Sequence, residues 1–167
     1  TMAVFTQTVA STSRVLLWAD AFLRGASQVV LTNNSISGAL ILGGLFAADA
    51  FVASCGVVGL FGATATAVLL RLDLQATCSG LFGYNGLLVG LGLATFLVGE
   101  QWCLLVLSLV LGALSTVLQQ SLGNALVPTF KCPPFTLAFN VTLVLFVAAS
   151  YKLGRFHPAP FLAPALG

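Results

Sequence analysis

This chain predicts an all-α fold that crosses a membrane several times, on three grounds. Five long stretches carry no charged residue: Gly25 to Ala48, Ala50 to Leu70, Leu74 to Gly99, Gln101 to Phe130 and Cys132 to Tyr151. Each approaches or exceeds the roughly 20 apolar residues that a helix needs to cross the hydrocarbon core. Of the 167 residues, 59% are hydrophobic and 6% charged, with a mean hydropathy of +1.07. A soluble domain carries about a quarter of its residues charged, so most of this outer surface must face lipid. Lastly, the runs at 39–48 and 103–114 do not alternate with the period of two that a spanning β-strand needs. Lipid offers no partner to a free backbone N–H or C=O, so helices and closed barrels are the only spanning solutions, and helices remain.

Residues 1–13 read as a polar N-terminal segment, without the basic-then-apolar order of a signal peptide. Ser13 to Leu31 mixes Trp18, Asp20, Arg24 and Gln28 with apolar residues, which predicts an amphipathic helix, part interfacial and part spanning. Asn33, Asn34 and Ser35 break it, and Asn34 or Ser35 can cap the next helix, Ile36 to Ala48. Gly38, Gly43 and Gly44 on that helix suit close contact, since small residues let backbones approach inside lipid. Asp49 marks an end near water. Phe51 to Leu70 is the next helix, again carrying small residues, and Arg71 and Asp73 return the chain to an interface.

Ala76 to Val89 differs. Ser79, Gly80, Gly83, Tyr84, Asn85 and Gly86 form helix poorly at close spacing, yet apolar sequence surrounds them. That pattern predicts a broken or re-entrant element facing a cavity. Glu100 ends the apolar run that follows. A helix from Gln101 to about Leu118 continues through Gln119, Gln120, Ser121 and Asn124, whose amides need internal partners if buried. Val127-Pro128 is expected to end it, because a residue before proline avoids the helical region. Lys131-Cys132-Pro133-Pro134 makes a second break, with Phe135 to Asn140 beyond it and a helix from Val141 to Tyr151. Residues 152–167 are proline-rich and read as a terminus or linker. The expectation is about five spanning helices. Two discontinuities interrupt them, near Gly80–Gly86 and Pro133–Asn140. Half-helices ending at such breaks present backbone groups to a solute path.

The chemistry of the remaining residues is uncharged. There is one histidine, His157, in the tail, and Asp20, Asp49, Asp73 and Glu100 sit near expected interfaces with no acid–base pairing. The chain therefore does not read as an enzyme. No ion relay lies within the spans, which argues against ion-coupled pumping. The net charge of +2 is spread along the chain, which excludes a nucleic-acid partner and leaves sidedness open. Cys55, Cys78, Cys103 and Cys132 form no close pair and read as small buried hydrophobes, so no metal and no cofactor is expected. What remains is polar but uncharged, the chemistry of a neutral solute moving down its gradient. Gln28 either bonds between helices or faces that solute. Thr136 either bonds back to a carbonyl of its own helix or lines a constriction. Asn85 and Asn140 are expected to satisfy backbone groups freed at the breaks. Asn33-Asn34-Ser35 and Asn140-Val141-Thr142 match the glycosylation acceptor pattern, the second within the apolar region.

Leu23-Arg24-Gly25-Ala26-Ser27-Gln28-Val29-Val30, the run from Gly80 to Gly90, Ala113 to Asn124, and Pro133-Pro134-Phe135-Thr136-Leu137-Ala138-Phe139-Asn140 together resemble the urea transporter family, in order and spacing. The resemblance covers about Ser13 to Phe161. It implies an inverted-repeat fold in which two homologous halves, each with spanning helices and a re-entrant element, surround one pore, with complete pores assembling as a trimer. Residues 14–151 are similar to one such half-domain. The second half would come from the same longer chain, a separate chain or an antiparallel identical copy. The resemblance further implies urea as substrate, lipid as surroundings, and a multi-pass position in a plasma or bacterial inner membrane. Gln28 matches a glutamine of the outer filter and Thr136 a threonine at the central constriction. Phe135, Leu137, Phe139 and Asn140 continue the filter segment. Leu31 stands where the family places a phenylalanine against the flat face of urea, and Ala138 replaces the second proline of the signature. Gly83, Tyr84, Asn85, Gly86, Pro133 and Pro134 are expected to be structural at the helix breaks. Competing readings are a non-conducting accessory subunit and a channel for ammonia or water. The lack of an intramembrane histidine weighs against ammonia.

Overall fold

Three short polar residues start three of the helices, and each does so by the same local chemistry. In the computed structural model, which describes residues 16–153 and 156–158, the first helix α1 (Leu16–Val30) tightens into a 3-10 turn over Gln28–Val30. Helix α2 (Ser35–Ala48) begins where Asn34 Oδ1 accepts the Ile36 N–H at 2.9 Å. Helix α3 (Ala50–Leu69) begins where Asp49 Oδ1 accepts from Phe51 and Val52 at 2.8 and 2.9 Å. Helix α4 (Leu74–Cys78) begins where Asp73 Oδ2 accepts from Ala76 at 2.7 Å. Each cap satisfies amides that lipid could not, and is worth about 1 kcal/mol. Helices α5 (Gly83–Phe96), α6 (Gln101–Phe130) and α7 (Leu137–Leu153) complete the set. Two short strands, β1 (Leu97–Val98) and β2 (His157–Pro158), pair antiparallel, Leu97 opposite Pro158.

The α1–α2 elbow bends by 74°. Buried Ser27 pins it: its Oγ lies 2.9 Å from the Arg24 carbonyl and 2.7 Å from that of Thr32, and accepts the Asn34 N–H at 3.2 Å. Arg24 bonds Asp20 at 2.6 Å and Asn33 Oδ1 at 2.9 Å, and Asp20 also accepts from Ser35. Elbow charges are thus neutralised locally.

Helices α3, α5 and α6 form the centre of the molecule, and glycine lets them touch. A Cβ on Gly59 would strike the Gly86 carbonyl, and one on Gly112 would strike the carbonyl of Gly59. Thr116 Oγ1 ties α6 to α3 through the Ala63 carbonyl at 3.0 Å. Below this contact, Cys55, Val89, Leu93, Leu104 and Leu143 pack into one cluster. The exterior carries Leu40, Phe46, Phe61, Val106, Val110, Val144 and Leu145, an apolar outside suited to lipid. Helices α3 and α6, of 20 and 30 residues, are each long and apolar enough to cross a membrane, and the bent α1–α2 pair passes together. Gly83–Phe96 and Leu137–Ser150 are shorter apolar helices.

Several boundaries differ from the sequence expectation. Helix α6 does not stop at Val127-Pro128 but runs to Phe130, where Lys131 closes it with φ 53°. Pro128 sits in the final turn, where it removes the bond to the carbonyl four residues back and its ring crowds that carbonyl, and the helix ends two residues later. The first break is confined to 79–82, where Gly80 takes φ +79°. Gly83, Tyr84, Asn85 and Gly86 are instead buried in the opening turn of α5. Packing against Leu60, Thr64 and Gly59 of α3 outweighs their weak helix propensity. The second break covers 131–136, so Phe139 and Asn140 are helical. Helix α7 extends to Leu153, beyond the expected start of the tail. Phe156 then packs edge-on against Phe146, with ring centroids 6.2 Å apart. The polar segment 1–13 and most of 152–167 lie outside the described residues. All four cysteines are free. Cys55 is buried as expected, but Cys132 is exposed at the second break.

Candidate solute path

The two interruptions face one another across a groove of about 500 Å³. Gln28 and Leu31 line it from the end of α1, Leu81, Phe82 and Tyr84 from the first break and α5, Gln119, Gln120 and Gly123 from α6, and Pro133, Pro134 and Phe135 from the second break. None of these residues is charged. A larger groove of about 570 Å³ between α1 and α3 is walled by Trp18, Phe22, Phe61, Val68 and Leu69, and offers a polar solute almost nothing to bond.

Broken helices expose backbone carbonyls, and here side-chain amides meet them. Gln28 Nε2 donates to the Ser79 carbonyl at 3.0 Å. Gln119 Nε2 donates to the Leu81 carbonyl at 2.6 Å. Fully buried Asn85 donates its Nδ2 to Gln119 Oε1 at 2.6 Å, and Nδ2 lies 3.3 Å from the Phe135 carbonyl. Asn85 Oδ1 in turn accepts the Phe139 N–H at 3.3 Å. A single chain of hydrogen bonds therefore runs from the first break through α6 and α5 to the second. Leaving one such buried group unpaired would cost about 1–3 kcal/mol, and no buried side-chain N or O among the described residues lacks a partner.

The groove retains hydrogen-bonding capacity, with acceptors beside the second N–H of each glutamine amide and the Tyr84 hydroxyl. A carbonyl has two lone pairs, and those of Ser79 and Leu81 have each accepted one side-chain bond. Gln120 Nε2 is committed to Asn124 Oδ1 at 3.1 Å. The amide oxygens of Gln28 and Gln120 accept from no protein donor among the described residues. Uncharged acceptors thus sit between the apolar faces of Leu31, Phe82 and Phe135. That combination suits a small neutral solute rich in N–H donors and gives an ion no opposite charge. Two of the lining residues, Leu31 and Phe135, hold left-handed backbone at φ 58° and 44°, a conformation that costs a non-glycine residue about 1 kcal/mol or more.

The residues singled out from the sequence fall into three places. Gln28, Leu31, Phe135, Tyr84, Pro133 and Pro134 converge on the groove. Thr136, Leu137 and Asn140 are exposed and lie outside its lining, Asn140 beside a shallow hollow with Val141, Val144 and Leu145. Thr136 precedes α7, and among the described residues its hydroxyl bonds no carbonyl, while Asn140 Nδ2 donates to the Thr136 carbonyl at 3.0 Å. Phe139 is half-buried and packs against the main core cluster. Gln28 bonds across elements and also lines the groove. Gln119 and Gln120 were not among the expected solute contacts. Consecutive amides within an apolar helix were the available signal. Among the described residues no cluster of His, Cys, Asp or Glu could hold a metal.

A family model described as urea transporter matches residues 19–167. Urea transporter 1 of Rattus norvegicus is 38% identical over 151 residues, a match covering 90% of this chain and 39% of the rat protein. The Mus musculus protein of the same name is 36% identical with the same coverage. That of Ovis aries is 35% identical over 152 residues, covering 90% of this chain and 40% of the sheep protein. The chain spans about two fifths of the length of these curated relatives.

Proposed function

Because the chain belongs to the urea transporter family, and is an integral membrane protein of helical class, we propose that it forms one wall of a passive path for urea. A second wall of similar build completes the slot, supplied by the rest of a longer chain, a separate chain or an antiparallel copy. Complete pores group as a trimer in a cell membrane, crossed several times by each wall. The observation that carries this reading is the groove between the two helix breaks, with Gln28 and Phe135 on its walls and no charge in its lining.

Urea is flat, neutral and rich in N–H donors. Entering a narrow slot removes its water, and each unpaired polar group would then cost a few kcal/mol. Carbonyl and amide oxygens replace that water. Gln28 contributes an acceptor at the outer end, its orientation set by its own bond to Ser79. Apolar side chains on either side restrict the solute to a flat orientation, with Leu31 in place of a ring. Leucine leaves a looser slot than phenylalanine, which extends the substrate class to short amides related to urea. Thr136, Leu137 and Asn140 are exposed on this half because they meet the opposing wall, and Thr136 then narrows the centre. Phe139 acts from behind, holding the filter segment to the core. Several weak, similar positions allow exit as readily as entry.

The test is urea uptake into proteoliposomes holding the pore-forming assembly. Uptake should saturate weakly, need no ion gradient, and fall in Gln28→Ala at equal inserted protein. Uptake no faster than through protein-free vesicles would overturn the reading and favour a non-conducting subunit.

A further inference from the structure

We propose that Gln119 is a positioning residue that fixes the spacing between the two walls of the groove, and through it the size of amide that passes. The inference deepens the reading of the groove as a urea path and rests on it. The first wall ends in the Leu81 carbonyl and the second in the Phe135 carbonyl. No hydrogen bond joins these two breaks directly among the described residues. Gln119 is the only side chain there that binds a carbonyl of the first break while also binding Asn85, which holds the second. Both of its bonds are 2.6 Å long, shorter than the 3.3 Å bonds from Asn85 to Phe135 in the second break and to Phe139 at the start of α7. The tightest part of the connection is therefore centred on Gln119.

The geometry requires a side chain that donates and accepts at once. Gln119 stands on α6, the longest helix at 30 residues, which Thr116 anchors to α3 one turn earlier. The amide thus reaches the breaks from a fixed support. A leucine of similar volume would bond neither break. A glutamate would still accept from Asn85 but could not donate to Leu81 when ionised, and its charge would repel that carbonyl.

Two native cysteines report on the spacing. Cys78 precedes the first break and Cys132 lies in the second. With Cys55→Ala and Cys103→Ala as background, nitroxide labels on Cys78 and Cys132 give a distance distribution by pulsed electron resonance. The same assembly in proteoliposomes gives the permeability ratio of N-methylurea to urea. Gln119→Leu should broaden the distribution and raise the ratio by about fivefold, the change expected when one ordinary hydrogen bond no longer holds the narrow state. Gln119→Glu should do the same and decides the matter if the leucine variant fails to insert. An unchanged distribution overturns the proposal, and so does a broadened one with an unchanged ratio. If the unsubstituted protein carries no urea, the transport reading fails, and with it the link from Gln119 to solute size; the label distances then show separately whether Gln119 holds the walls apart.

Discussion

The side chain of Gln28 and the carbonyl of Ser79 are joined at 3.0 Å across 51 residues of sequence. The bond ties the end of the first helix to the first break and leaves the Gln28 oxygen on the groove. An alanine there loses the tie and the acceptor together. Gln28→Ala is expected to lower urea permeability by about tenfold, since an entering N–H would lose one partner in a dry site. Stopped-flow light scattering at matched protein content measures it. Permeability within twofold of the unsubstituted protein would count against an acceptor role.

Thr136 is exposed just before α7, and among the described residues its hydroxyl bonds no carbonyl, so the proposed path gives it a solute contact to be tested. Thr136→Val keeps the shape and removes the hydroxyl, so permeability should fall severalfold, by the worth of about one hydrogen bond. Thr136→Ser should retain most of it. Equal loss in both variants, read in the same uptake assay, would assign Thr136 to packing instead.

Much of this arrangement could be read from residue order, and the misplacements have physical causes. Uncharged stretches placed the helices, and Asn34 was legible as a cap because it acts two residues from itself; Asp49 and Asp73 read only as interface markers, although they cap α3 and α4 in the same local way. The ends were harder. Gly83 and Gly86 looked like breakers, but a glycine is as useful for close packing as for turning, and only the position of α3 decides between them. Pro128 looked like a stop, and the helix does end close to it, but two residues later at Phe130 rather than at Val127. Asn85 was expected to satisfy backbone at a break, and its backbone partners are Phe135 in the second break and Phe139 in the opening turn of α7, 50 and 54 residues away. Gln119 was invisible as a connector for the same reason: its two partners come from elements that sequence does not place side by side.

Gly59 is the point where three helices meet, and its substitution should be costly. Gly59→Ala places a methyl against the Gly86 carbonyl, and neither backbone can retreat without moving α5 or α6. Overpacking of this kind costs about 1–3 kcal/mol. Gly43 has nothing within 4 Å of its missing Cβ, so Gly43→Ala should be neutral or stabilise α2. Thermal unfolding in detergent, followed by tryptophan fluorescence, compares them. A drop in midpoint for Gly43→Ala equal to that for Gly59→Ala would refute the packing argument.

Leu31 tests how the slot selects by shape. It is 74% exposed on this half, carries left-handed backbone and lines the groove near Phe135. A branched aliphatic chain gives a solute an uneven, yielding wall, whereas an aromatic ring gives a flat, stiff one that fits the face of a planar amide. Leu31→Phe introduces no change in charge, and an exposed position can receive the larger ring without displacing the core. The variant should therefore keep urea permeability while lowering that of N-methylurea and other bulkier amides, by about fivefold if the added methyl must displace the ring. Solute-by-solute uptake in one proteoliposome preparation measures the ratio. If both solutes slow equally, Leu31 controls the width of the entrance alone; if neither changes, the opposing wall sets the selection and Leu31 stands outside the path.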